Sequence, residues 1–144
     1  MGIVPLMYQI SEFDCGPSTM MNVFSYLFDR KRIQPDAITA IYRYCLDGFS
    51  PSGVCGKTGT SREAMEFMSH WFNHYCDQRH FPGHSEILTR DEVFLGEGSK
   101  IVECLKAGGC AVVRCYLCCC HYVPCIPHGT AAISSPWART FSKT

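Results

Sequence analysis

The feature that most constrains this fold is a change in hydrophobic spacing late in the chain. Up to Ala107 apolar residues recur at helical intervals, whereas residues 111–117 are apolar on both faces apart from Arg114. Helical spacing predicts amphipathic helices, and a short apolar run without alternation predicts a central, buried strand. Helices first and strands last indicate an α+β fold.

The boundaries of these elements follow from capping and stop signals. Thr60 and Glu63 have the spacing of a capping box, and Ser99 and Gly108 mark the start and end of a short helix. Helices are expected at about 17–28, from Pro35 to near Gly48, at 61–76 and at 99–107. Strands are expected at 111–117, 121–126 and 131–134, with a short extended segment at 3–9.

Length and composition predict one soluble domain over residues 1–144. The chain has 144 residues, of which 47% are hydrophobic and 18% charged, as is ordinary for a globular domain. No stretch reaches the length of a membrane span and no secretory signal opens the chain, so we expect a cytoplasmic protein that does not bind membranes. The 11 cysteines should then be mostly reduced.

The charge pattern argues against a nucleic-acid partner. The net charge is zero, and no acidic residue follows Glu103. Four bases are dispersed over the remainder of the chain, and they do not form a basic patch. The absence of acidic residues from this tail also limits which side chains can serve a catalytic histidine there.

A candidate nucleophile lies in the stretch YQISEFDCGPSTMM, residues 8–21. Pro17 suits the first position of a helix, which places Cys15 just outside the helix N-terminus. The partial positive charge there favours a thiolate, the nucleophilic form of cysteine. The alternative is that Cys15 is a small buried apolar residue, as most cysteines are.

A cysteine nucleophile needs an oxyanion donor and a base. Gln9 lies six residues before Cys15, where its amide can face the oxyanion together with the backbone N–H of Cys15. His121 opens a predicted strand directly after the most buried one. His128, in a Pro-Gly loop, is a weaker candidate for the base.

These residues resemble those of the papain-like cysteine peptidases that trim double-glycine leader peptides, a group with many standalone bacterial members. The matching motifs are Gln9, Asp14-Cys15-Gly16-Pro17-Ser18 and His121-Tyr122-Val123. The resemblance implies a papain-like fold, with N-terminal helices, the nucleophile at a helix start and a C-terminal antiparallel sheet. It also implies Cys15 as nucleophile, Gln9 as oxyanion donor and His121 as general base, acting without a cofactor or metal on a peptide or a small amide or thioester.

Two positions depart from that family. Ser135 stands where the family carries the aspartate that orients the imidazole, and a serine supplies no charge to stabilise an imidazolium. We therefore expect slow turnover, with Ser135 as the remaining third member of the site. Pro124 removes a ladder donor two residues beyond Tyr122, so the strand from His121 is expected to be short or distorted.

Two other function classes stay open. One is a catalytically inactive relative that binds a peptide or partner protein. The other is a metal-binding module built from Cys115, Cys118, His121, Cys125 and His128, because its first two cysteines and its last Cys-His pair have knuckle-like spacing. The separation of the two pairs is shorter than usual for zinc sites, which favours cysteines that simply fill a sheet.

Overall fold

The computed structural model describes residues 7–28, 33–116, 120–126 and 137–142. The α-helices are α1 Cys15–Leu27, α2 Pro35–Cys45, α3 Arg62–Arg79 and α4 Lys100–Lys106. The strands are β1 His84–Thr89, β2 Cys110–Tyr116, β3 Cys120–Cys125 and β4 Trp137–Ser142. These elements confirm the α+β class. The chain divides into two compact units, Met1–Met68 and Ser69–Thr144, with the boundary inside α3; that residues 1–144 act as a single domain stays a prediction.

The first unit is built on α1, which is buried on almost every side. Met20, Val23 and Phe24 are at most 2% exposed, and the polar residues Ser18 and Thr19 are also buried. A helix buried all round is typical of a core element rather than of a surface helix with one apolar stripe. Helix α2 contacts α1.

Helix α3 begins one residue later than the capping box predicts. The hydroxyl of Ser61 accepts a hydrogen bond from the backbone N–H of Ala64 at 2.9 Å, and it donates to the carboxylate of Asp47. Asp47 also accepts from the Ser61 backbone N–H at 3.0 Å, so this aspartate fixes the cap. The hydroxyl oxygen of Thr60 is buried and has no hydrogen-bond partner, so the expected cap at Thr60 is wrong.

Helix α3 also extends three residues beyond its predicted end. His80 closes it with a φ of 53°. The N–H of Phe81 bonds to the carbonyl of Cys76 at 2.9 Å, and the N–H of His80 bonds to that of Asp77. This is the Schellman pattern, in which a left-handed residue ends the helix. The sequence signal was missed because that residue is histidine and not glycine.

The sheet belongs to the second unit and has the strand order β1-β4-β2-β3, with every neighbouring pair antiparallel. Strand β2 lies between β4 and β3, which confirms the predicted central strand over 111–116; its last expected residue, 117, lies outside the described residues. Strands β1 and β4 were not predicted. The strand expected at 131–134 lies outside the described residues, as does most of the extended segment expected at 3–9.

The two faces of this sheet have different partners. One face contributes Ala111, Val113 and Cys115 to an apolar cluster with Leu88 of β1 and Ile101 of α4. On the other face the guanidinium of Arg114 lies 6.0 Å from the ring centroid of Tyr122. Stacking on an aromatic ring shields this cation within an otherwise apolar strand.

An asparagine clamp joins α3 to the edge strand β1. The side chain of Asn73 accepts from the backbone N–H of Ser85 at 2.7 Å and donates to its carbonyl at 2.9 Å. The hydroxyls of Ser69 and Ser85 are also hydrogen-bonded, to each other, at 2.6 Å.

Among the helices that the structure describes, none has the length and hydrophobicity of a membrane-spanning helix.

Candidate active site

Cys15 is the first residue of α1 rather than the residue before it. The N–H of Ser18 donates to the carbonyl of Asp14 at 3.0 Å, which is the first hydrogen bond of the helix. Pro17 is therefore the third helical residue, not the first as expected. The change is tolerated because the first N–H groups of a helix have no intrahelical acceptor, so a missing one is not felt. For the same reason the N–H of Cys15 has no acceptor within its own helix.

Asp14 precedes the cysteine and binds the approaching loop instead of capping the helix. Its carboxylate accepts from the backbone N–H groups of Ile10 and Ser11, each at 3.0 Å, and from the Ser11 hydroxyl at 3.4 Å. Burial acts to raise the pKa of Asp14, but the hydrogen bonds from Ile10 and Ser11 outweigh it and lower the pKa. Asp14 is therefore a carboxylate at neutral pH.

Gln9 lies on that loop, and its side chain is exposed. Its amide nitrogen donates to the carbonyl of Ser11 at 3.3 Å. Met7 lies two residues before Gln9 and is bound by Asn22 of α1. The Asn22 side chain accepts from the Met7 N–H at 2.7 Å and donates to the Met7 carbonyl at 3.0 Å. Gln9 and Cys15 thus belong to one hydrogen-bonded segment of the first unit, which runs from Met7 into α1.

Gly16 follows the cysteine where α1 approaches the loop before α3 closely. A Cβ atom built on Gly16 would lie 2.0 Å from the hydroxyl oxygen of Thr60 and 2.7 Å from its Cβ. No side chain fits in that space, so glycine is required here for packing. Cys15 itself is buried, with only 6% of the residue exposed.

His121 lies on β3 in the second unit and is half-buried. Strand β3 is at the edge of the sheet, and it continues through Pro124, which pairs with Val112 of β2. The expectation that Pro124 shortens or distorts the strand is therefore wrong. An edge strand has one side without ladder partners, where a missing N–H is harmless.

Other expected site residues are not described by the structure. Ser135 and His128 lie outside the described residues, as do Cys118 and Cys119. Cys15 and Gln9 belong to the first unit and His121 to the second. The pairing of Cys15 with His121, and the role of Ser135, therefore stay predictions.

The described cysteines other than Cys15 include several that burial keeps protonated. Burial raises the pKa of Cys45 and Cys110 far above the ordinary thiol value, and that of Cys76 to about 11. It also raises the pKa of Cys115 and Cys125. Since the thiolate is the reactive form, these five are poor nucleophiles near neutral pH.

The structure bears on the metal-binding alternative only in part. Among the residues it describes, no group of three or more histidine, cysteine, aspartate or glutamate side chains could hold a metal ion. Cys115 and His121 are cross-strand partners, but Cys125 lies four residues beyond His121, about 13 Å along the strand. The two remaining members of the proposed cluster, Cys118 and His128, are not described.

Sequence reasoning missed the residues that shape the loop before Cys15. Ser11 and Asn22 belong to no recognised motif, although Asn22 is the one amide side chain in the helical run CGPSTMMNVFSYL.

A cleft of about 480 Å³ in the second unit was also not predicted from the sequence. The residues that line it include the charged side chains of Glu86, Lys100 and Glu103. No spacing along the chain links Glu86 to Lys100 and Glu103 of α4, because the fold brings β1 beside α4.

Comparison of the chain with protein-family models, with curated proteins and with solved structures found no match.

Proposed function

We propose that this chain is a thiol-dependent hydrolase of the papain-like kind that cleaves a peptide or amide bond. Cys15 is the nucleophile, Gln9 an oxyanion donor and His121 the general base. The observation that supports this most is the position of Cys15 at the first residue of α1, with its own N–H free of any helical acceptor. A developing oxyanion beside the sulfur would find this donor already oriented.

The chemistry follows from these roles. His121 takes the proton of the Cys15 thiol and becomes an imidazolium as the sulfur attacks the scissile carbonyl. A sulfur–carbon bond forms, and the carbonyl oxygen becomes an oxyanion held by the Cys15 N–H and the Gln9 amide. The carbon–nitrogen bond then breaks, and the amine leaves with a proton from the His121 imidazolium. Water, deprotonated by His121, hydrolyses the thioester and restores the thiol.

The burial of Cys15 supports a slender substrate. With 6% of the residue exposed, the cysteine would be reached most easily by a chain without side chains near the cleaved bond. A diglycine segment has that shape. This agrees with the double-glycine leader peptides that the sequence resemblance implies.

The decisive test is the rate of Cys15 alkylation by iodoacetamide near neutral pH, read by mass spectrometry after brief labelling. We expect Cys15 to react faster than the other ten thiols, because its place at a helix N-terminus and an imidazole partner both activate it. The His121→Ala variant should react more slowly at Cys15, because the imidazole partner is gone. His84→Ala, which removes another strand histidine of the same unit, should behave as wild type.

Two outcomes would contradict the proposal. Labelling concentrated in Cys118–Cys120, with Cys15 untouched, would show that Cys15 is not the nucleophile. Equal alkylation rates at Cys15 for wild type and His121→Ala would show that His121 is not the base. A structure of the alkylated protein should in turn find a ring nitrogen of His121 within about 4 Å of the Cys15 sulfur, the reach of a loose thiol–imidazole contact.

A catalytically inactive, peptide-binding relative is the second candidate, and the burial of Cys15 favours it. A binding protein does not need an accessible thiol. Binding of an acetyl-Gly-Gly peptide that is equally tight in wild type and Cys15→Ala, with no thioester formed by the wild type, would decide for this alternative.

A further inference from the structure

The loop that carries Gln9 has almost no apolar burial to hold it. Tyr8 is 83% exposed and Ile10 is 86% exposed, although both are large hydrophobic residues. A segment that exposes its apolar side chains on both sides of Gln9 gains little from the hydrophobic effect. Its conformation must come from hydrogen bonds.

Those hydrogen bonds come from two side chains. One of them binds the segment before Gln9, and the other binds it after Gln9. Asn22 binds both backbone groups of Met7. Asp14 binds the N–H groups of Ile10 and Ser11 and the Ser11 hydroxyl. Asn22 is 8% exposed and Asp14 is 5% exposed, so water competes weakly for these five bonds.

The bonds from Asp14 continue to the Gln9 side chain through Ser11. Asp14 holds the backbone N–H and hydroxyl of Ser11, and the Ser11 carbonyl accepts from the Gln9 amide. A glutamine amide carries two N–H groups. With one bonded to Ser11, the other N–H is left to bind a further acceptor, as an oxyanion donor requires.

We infer that Asp14 and Asn22 are positioning residues that hold the segment Met7–Ser11 so that the Gln9 amide acts as oxyanion donor for Cys15. The inference rests on the proposed function. Neither side chain touches substrate; each acts through the loop. Asp14 is suited to this because its carboxylate stays ionised and both of its oxygens accept backbone or hydroxyl hydrogen.

The test compares two reactions of Cys15 that differ in their need for an oxyanion donor. Alkylation by iodoacetamide forms a sulfur–carbon bond as iodide leaves, and no oxyanion develops. Acylation by the p-nitrophenyl ester of acetyl-Gly-Gly forms a sulfur–carbon bond through an oxyanion, and p-nitrophenolate leaves with its electron pair. The acylation rate, read from the p-nitrophenolate burst, is divided by the alkylation rate.

We expect Asp14→Asn and Asn22→Leu each to lower this ratio by about tenfold or more. Removal of one oxyanion donor costs roughly 10²-fold in rate, and a donor that is displaced but still present should cost less. Gln9→Ala should lower it at least as much. Adding Asp14→Asn to Gln9→Ala should lower it no further, because the residue being positioned is already gone. A purely structural role would not produce this coupling.

The matched control is Asn73→Leu, which removes the same kind of two-bond amide clamp in the second unit. It should lower the melting temperature and leave the ratio unchanged. If Asp14→Asn does not fold, Ser11→Ala, which removes one exposed hydroxyl, takes its place and should lower the ratio about twofold to threefold, a smaller part of the same loss.

Failures of the two proposals are distinguishable. If wild type shows no burst beyond that of Cys15→Ala, the proposed function fails. If Gln9→Ala lowers the ratio while the folded Asp14 or Ser11 variant and Asn22→Leu leave it unchanged, the positioning inference is overturned and the proposed function stands.

Discussion

Cys115 and His121 are directly opposite each other across β2 and β3. Side chains of such a cross-strand pair project from the same face of the sheet, with Cβ atoms about 5 Å apart. The proposed base therefore has a thiol as its cross-strand neighbour, and burial raises the pKa of that thiol so that it carries no charge near neutral pH. An orienting carboxylate is missing at this position as well as at Ser135.

This relationship gives a prediction about turnover. Supplying a carboxylate that faces the imidazole should raise the steady-state rate about tenfold, a cautious fraction of the up to about 10⁴-fold effect of the orienting aspartate in serine proteases. Ser135→Asp tests the position that the family resemblance indicates. Cys115→Asp tests the cross-strand position, and Cys115→Ser is its uncharged control.

The measurement is kcat on the acetyl-Gly-Gly ester at a temperature where each variant is folded. The variant that gains activity identifies the side from which His121 is oriented. If both folded aspartate variants are no faster than wild type, the orienting site lies elsewhere or His121 is not the base. Equal rates for wild type and Cys15→Ala would show that there is no cysteine catalysis to improve.

The contact between Gly16 and Thr60 gives a prediction about stability. Gly16→Ala should destabilise the protein by about 1–3 kcal/mol, the usual cost of overpacking, because the new Cβ would overlap the Thr60 side chain. Helix propensity alone predicts the opposite sign, since alanine is favoured over glycine inside a helix. Urea unfolding of the variant decides between the two.

The double variant Gly16→Ala/Thr60→Gly serves as the control for that experiment. It should recover most of the lost stability, whereas Thr60→Gly alone should cost little, because the Thr60 hydroxyl has no hydrogen-bond partner. A stable Gly16→Ala protein would mean that the loop before α3 moves away without cost.

The left-handed residue His80 at the end of α3 gives a prediction in which two glycine substitutions change the free energy of unfolding in opposite directions. His80→Gly should raise the free energy of unfolding by about 0.5–1 kcal/mol, because glycine adopts the φ of 53° without steric strain. His74→Gly, an exposed position inside the same helix, should lower it by about 0.5 kcal/mol. Thermal unfolding of the two variants measures both effects, and a loss of stability in both would show that α3 does not end in this way.

Asp14 gives a prediction about pH. Its pKa is lowered in the folded state from an ordinary 3.8, so the unfolded chain binds more protons in that range. The contribution of Asp14 to stability is therefore present in full at pH values above its ordinary pKa, and it is lost as the pH falls through the lowered pKa of the folded state. Asp14→Asn should remove this dependence.

The measurement is the free energy of unfolding in urea at about pH 6 and about pH 3, on either side of the ordinary carboxylate value. Wild type should be the more stable protein at the higher pH, and the difference between wild type and Asp14→Asn should shrink at the lower one. A difference that stays constant between the two values would mean that the Asp14 carboxylate gains nothing from its bonds to Ile10 and Ser11.

The sequence by itself determined the elements whose signals are local. The start of α2 at Pro35, the cap of α4 at Ser99 and the buried central strand β2 were all predicted, because hydrophobic period and capping chemistry act over a few residues. The same local signals identified Cys15 at a helix start, with an error of two residues that Pro17 allows. The α+β class followed from their order.

Only the tertiary structure decided the rest, because it depends on residues that are distant along the chain. Ser61 and not Thr60 caps α3, because Asp47 lies fourteen residues earlier and fixes the serine hydroxyl. Strand β1 was missed, because its partner in the sheet is β4, near the other end of the chain. Asn22 is the one amide side chain of α1, and only the folded first unit brings it to Met7, fifteen residues away, where it holds the loop that carries Gln9.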